Sequence, residues 1–145
     1  MSIDEILDLW EKDCVIDETN IGHSSIYSSE LHRKYLRFHT TENIILKKYK
    51  KDYQKLYKIK WQYYLGCLDQ EEMDNRNWEP FGMKILKQDL SMYLDSDDEL
   101  SDEKLKMEIQ EEKVNILTKI IDSVNKRSFL INNYIEWKKF ENGVS

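Results

Sequence analysis

The sequence predicts an all-α protein: an elongated helical subunit whose long C-terminal helix mediates ring-like homo-oligomerisation. Three observations carry this. Charged residues make up 34% of the 145 positions while the chain has only four glycines and one proline, a composition of long helices rather than turn-rich sheets. Apolar residues recur at steps of three and four along most of the chain. The last forty residues carry two apolar stripes side by side. The length suits one ordinary domain, and a 40% hydrophobic fraction is enough for a packed core.

Ser2 and Glu5 have the spacing of a capping box, so a first helix starts at Ile3, with Ile3, Ile6, Leu7 and Trp10 on one face. VIDETNIGHSS (15–25) clusters turn-forming residues and is expected to be a connection. A second helix is expected from about Ser24 to Phe38, with Tyr27, Leu31, Tyr35 and Phe38 as its stripe. His39-Thr40-Thr41 interrupts the pattern. Thr41 suits the N-cap of a new helix from Glu42 to Leu65, ended by Gly66, with one continuous helix from 24 to 65 as the alternative. DQEEMDNRNWEPFG (69–82) reads as a loop, MKILKQDLSMYL (83–94) as a short amphipathic helix, and DSDDELSDE (95–103) as an acidic hinge with Ser101 as N-cap. The last helix then runs from near Asp102 to about Phe140. The expected division is an N-terminal helical region over 1–94, the hinge at 95–101 and a C-terminal oligomerisation helix over 102–145.

The net charge of −6 hides a segregation. Residues 1–20 sum to −6, 21–66 to +7, 67–112 to −10 and 113–145 to +3. The stretch KKYKKDYQKLYKIKWQYYLG (47–66) concentrates the positive charge. At about 100° per residue, Lys47, Lys48, Lys50, Lys51, Lys55 and Lys58 share an arc of roughly 160°. The opposite face carries Ile45, Leu46, Tyr49, Tyr53, Leu56, Tyr63 and Tyr64, with Tyr57, Ile59 and Trp61 at the borders. Lys60 falls in the middle of the apolar face. A solvated lysine face over an aromatic core is the ordinary meaning of such a pattern. The excess is of one sign, so i,i+4 salt bridges do not explain the stripe, and this points further. Lysines in a row displace counterions from phosphates, and an available ring such as Tyr57 or Trp61 stacks on unpaired bases, so single-stranded nucleic acid fits better than duplex. Arg33, Lys34 and Arg37 would extend that surface.

In the last helix, Leu117, Ile121, Val124, Ser128, Ile131 and Ile135 follow the alternating four–three steps of a coiled-coil seam. Ile116, Ile120, Leu130, Tyr134 and Trp137 form a second stripe, broken by Ser123 and Arg127. One stripe is expected to pack within the subunit and the other on a neighbour, with burial of both inside the chain as the alternative. Two adjacent seams suit a ring better than a dimer.

No catalytic chemistry is expected. The chain has no Walker A motif, dinucleotide fingerprint or nucleophile elbow. Asp95, Asp97, Asp98 and Glu99 lack the glycine and closing glutamate of a calcium loop. His23, His32 and His39 lack zinc spacing, and Cys14 and Cys67 read as free thiols. No metal or cofactor is therefore expected. The acidic N-terminus is not read as a targeting peptide, and no apolar run approaches the roughly 20 residues of a membrane span.

KDCVIDET (12–19), LHRKYLRFH (31–39), KIKWQYYLG (58–66) and KRSFLINNYIEWKKFENG (126–143) stand in the order and spacing of one family. Together they make the chain resemble the UvsY recombination mediators of T4-like phages over nearly its whole length. The resemblance implies a non-enzymatic mediator that binds single-stranded DNA. It would help a RecA-like (UvsX-like) recombinase displace the phage single-strand-binding protein, in the cytoplasm of the infected host. It also implies a ring of six or seven subunits assembled through the C-terminal helix. The family's basic DNA-contact pair falls on Lys58 and Lys60. A lysine at the second position keeps the charge and loses the planar fork of an arginine. The DNA-binding set is then Lys58, Lys60, Lys47, Lys48, Lys51, Lys55 and Trp61. The oligomer set is Leu117, Ile121, Val124, Ile131 and Ile135. The competing reading is a helical scaffold that binds only proteins, its lysine stripe docking on an acidic partner or on residues 95–112.

Overall fold

The computed structural model describes residues 1–143. They form five α-helices and a 3₁₀ turn, with no strand among the described residues. The helices are α1 (Ile3–Asp13), α2 (Ile21–Tyr64), α3 (Gln70–Arg76), α4 (Leu90–Asp95) and α5 (Asp98–Glu141). Packing groups them into two units. One is Met1–Ile44 with the chain from Glu111 onward; the other is Ile45–Gln110.

In the first unit, α1 starts with the expected capping box: the Ser2 hydroxyl accepts from the Glu5 N–H, and Glu5 accepts from the Ser2 N–H. The core joins Ile6 of α1, Leu31 and Tyr35 of α2, and Leu117, Ile120 and Val124 of α5, with Trp10, Tyr27, Phe38, Ile116 and Ile121 against it. Trp10, Tyr35 and Phe38 meet edge-to-face, the geometry that ring quadrupoles favour. Asp13 accepts from Lys34 at 2.6 Å and from the Tyr35 hydroxyl at 2.8 Å. Burial raises the Asp13 carboxyl, but these donors and the Lys34 charge outweigh it and hold it below the usual range.

The connection after α1 is shorter than the composition suggests, and α2 begins at Ile21. An Asp17 carboxylate takes up the Thr19 N–H, and the Ser24 hydroxyl takes up the Asp17 N–H, so the turn closes within a few residues. The break expected at His39–Thr41 does not occur; the continuous helix does. The Thr40 hydroxyl folds back on the Leu36 carbonyl, and His39 Nε2 lies 3.0 Å from Thr118 Oγ1. Each polar residue is satisfied without ending the helix.

The second unit holds the rest of α2, α3, α4 and the start of α5. Its core is Leu90, Leu94 and Leu100, with Tyr53, Leu56, Tyr64, Leu65 and Ile85 against it. Gly66, at φ 75°, ends α2: the Cys67 N–H reaches the Gln62 carbonyl and the Gly66 N–H the Tyr63 carbonyl, a Schellman motif. Three expectations are corrected here. Residues 70–76 of the expected loop form a helix, closed by Asn77 in the left-handed region. In 83–94 the helix is confined to Leu90 onward, after the 3₁₀ turn Lys87–Asp89. The last helix does not wait for Asp102: α5 already starts at Asp98, within the acidic segment 95–103. Asp97, not Ser101, caps it: its carboxylate accepts from the Leu100 N–H at 2.9 Å. The buried leucines Leu94 and Leu100 flank the turn on both sides.

Candidate nucleic-acid interface

Lys47, Lys48, Lys51, Lys55 and Lys58 are all exposed on α2, along about 16 Å of helix. Among the described residues no carboxylate lies within ion-pair distance of these five. Tyr57 and Trp61 are exposed beside them, while Tyr53 is half-buried and packs on the core. The wheel therefore divided this helix as the side chains do, since Leu46 is buried and Tyr49, Leu56, Tyr63 and Tyr64 are half-buried. Arg33 and Arg37 are exposed as well. Lys34 is not available, because Asp13 holds it.

Lys60 lies apart from the other lysines. Only 5% of the residue is exposed. Its ammonium sits 3.1 Å from Asp97 and 3.5 Å from Glu99, and 4.0 Å over the Trp78 ring. The Trp78 indole donates to Glu99 at 2.9 Å, and the Tyr64 hydroxyl donates to Asp97. Burial raises the Asp97 carboxyl, but the Tyr64 hydroxyl, the Leu100 N–H and Lys60 together hold it below the usual range. Burial, and then the bond to Asp97, push the Tyr64 hydroxyl up. A lysine paired in this way must give up its carboxylates before it can displace a counterion from a phosphate. The residues missed in the sequence are Asp97, Glu99 and Trp78. The signal was a lone lysine on an apolar face in a chain with an acidic run downstream.

The residues expected at a subunit seam are largely used inside the chain. Leu117, Val124 and Ile131 are buried, and Ile121 and Ile135 are half-buried. The inward face of α5 runs Leu117, Ile120, Val124, Arg127, Ile131, so it draws on both expected stripes. Arg127, which broke a stripe on charge, points inward. Its guanidinium donates to the Cys14 and Val15 carbonyls at 3.0 and 3.1 Å, satisfying the C-terminal end of α1. Phe129, Leu130, Trp137 and Phe140 are left exposed on the same helix.

Among the described residues no group of His, Cys, Asp and Glu is placed to hold a metal ion, and no helix is long and apolar enough to cross a membrane. Residues 9–144 match the family model described as recombination, repair and ssDNA binding protein UvsY. The fold is similar to crystal structures of the bacteriophage T4 recombination mediator protein UvsY. Lattice type II gives a TM-score of 0.87 at 18% identity, covering 98% of both chains. Lattice type IV gives 0.86 at 16%, covering 97% of this chain and 99% of that one. Lattice type I gives 0.83 at 18%, covering 94% and 98%. No curated protein sequence matches. With the family model spanning almost the whole chain, this protein belongs to the UvsY family of recombination, repair and single-stranded-DNA-binding proteins.

Proposed function

We propose that this protein is a recombination mediator. It binds single-stranded DNA and promotes loading of a RecA-like recombinase onto DNA covered by single-strand-binding protein, in the cytoplasm of a phage-infected host. The observation that carries the reading is the face formed by Lys47, Lys48, Lys51, Lys55 and Lys58, free of ion pairs and flanked by the exposed rings of Tyr57 and Trp61. The ammonium groups attract phosphates without regard to sequence, and the rings stack on unpaired bases. The chemistry is non-enzymatic: binding, exchange and assembly. DNA contact is assigned to residues 1–94, with Lys58 as the accessible member of the pair at 58 and 60 and Lys60 as the residue that fixes the helix beneath it.

Self-association is assigned to residues 102–145. A ring of six or seven subunits would join through the outward face of α5, where Leu130 and Trp137 of the expected second stripe are exposed beside Phe129 and Phe140. The half-buried Ile121 and Ile135 share the side of α5 that carries Leu117, Val124 and Ile131, which serves the subunit's own core.

Titration of labelled oligo-dT at several salt concentrations, with a duplex control, tests the DNA reading. Salt-sensitive binding that prefers the single strand is expected. Failure to bind either form at low salt would leave the adaptor that binds only proteins.

A further inference from the structure

Within the 45–110 unit, a cavity of about 590 Å³ opens where α2 ends, away from the lysine face. That volume falls in the range of specific binding sites, about 300–1,000 Å³. Tyr63, Tyr64, Phe81, Met73 and Met83 are among the residues that line it. The rings form a connected cluster, Tyr64 meeting Phe81 edge-on at 4.9 Å. One wall is held in place: the Tyr63 hydroxyl donates to the Glu79 carbonyl, beside the lining Pro80. Methionine side chains adapt to irregular apolar partners, and Met83 and Leu86 are exposed at this edge.

The surrounding charge is one-sided. Residues 68–85 carry Asp69, Glu71, Glu72, Asp74 and Glu79 against Arg76 and Lys84. Arg76 is already held by Glu72 at 2.7 Å, and Lys84 is the one charged side chain that lines the cavity itself. Burial pushes the Tyr63 hydroxyl up, and Asp97 and Glu79 push it further, as a negative field requires.

We propose that this cavity docks a basic amphipathic segment of another protein, its apolar anchor among Tyr63, Phe81, Met73 and Met83 and its lysines or arginines over the acidic residues 69–79. This is the helix-in-groove or anchor mode of recognition, in which pocket contacts supply affinity and charge supplies selection. It is independent of DNA, so it stands or falls apart from the lysine face.

The test uses the full-length, isotope-labelled chain without DNA. The probes are a capped leucine–tryptophan–lysine amphipathic peptide and its counterpart with glutamate for lysine. The lysine peptide is expected to shift the amide resonances of residues 63–85 and to bind there about tenfold more tightly than the glutamate peptide. Met83→Ser, at an exposed position that leaves the core intact, should weaken it. Lys84→Ala, which removes the opposing charge, should strengthen it. Equal affinity of the two peptides at these resonances, shifts confined to other residues, or weaker binding by Lys84→Ala would each overturn the proposal.

Discussion

Lys60 and Lys58 are two residues apart on one helix, and the structure gives them opposite roles. Truncating Lys60 to alanine removes one partner of a buried pair whose side chains are 7% and 5% exposed. Such removals cost about 3–5 kcal/mol, because the remaining charge stays buried. Asp97 keeps the Tyr64 hydroxyl and the Leu100 N–H, which places this case at the low end. The bond to Glu99 adds little, since that carboxylate is half-exposed, and the contact with the Trp78 ring adds about 1 kcal/mol. The expected loss is about 4 kcal/mol, a fall of roughly 8–16 °C in Tm for a chain of this size. Lys58→Ala, at an exposed site, should stay within about 0.5 kcal/mol of wild type. DNA binding should reverse the order. Each lysine that leaves a phosphate contact lowers the slope of log affinity against log salt by about 0.7 on a single strand. Lys58→Ala should lose that increment; Lys60→Ala, assayed well below its melting temperature, should not. Differential scanning calorimetry and oligo-dT titrations over a salt series measure both quantities. A Lys60→Ala protein as stable as wild type, or one whose salt slope drops as Lys58→Ala does, would refute the buried role.

Other perturbations read different parts of the molecule. Replacing Lys47, Lys51 and Lys55 together with alanine should reduce the salt slope by about 2 and leave the helical circular dichroism unchanged. Arg127→Ala should destabilise by about 2–3 kcal/mol in chemical denaturation, since two carbonyls at the end of α1 lose their donors. Asp13 and Asp97 both titrate below their ordinary value. The stability they contribute is therefore complete above the unfolded carboxylate pKa and is lost as pH falls through their lower folded values. Urea midpoints of the double variant Asp13→Asn with Asp97→Asn should consequently change less than those of wild type between pH 5 and about pH 2. Trp137→Ser with Phe140→Ser, two exposed positions, should shift the sedimentation profile toward smaller species while the subunit's melting temperature holds. An unchanged profile would move the self-association surface elsewhere.

The elements with local signals were legible before any tertiary contact was known. The capping box of α1, the glycine that closes α2 and the three-to-four spacing of Leu31, Tyr35 and Phe38 depend on neighbours a few residues away. The lysine face was legible for the same reason, because helical geometry alone sorts residues 47–58 by side. Resemblance across four short motifs also sufficed to place the chain in its family.

Tertiary structure decided what local pattern leaves open. Thr41 has the chemistry of a cap or of an interior residue, and the helix runs on through it, with the Thr40 hydroxyl on the Leu36 carbonyl and His39 packed near Thr118. Spacing over 95–103 suggested Ser101 as the cap, yet Asp97 caps α5 and pairs with Lys60, a partner 37 positions away that no periodicity reveals. In α5, a choice of one residue, 120 over 121 and 127 over 128, rotates the inward face by about 100°. The core of Ile6, Leu31 and Tyr35 fixed that choice. The sequence by itself determined an all-helical fold and which charges share a helix side. Packing determined which of those charges are free, because an ion pair forms between residues that the fold, not the spacing, brings together.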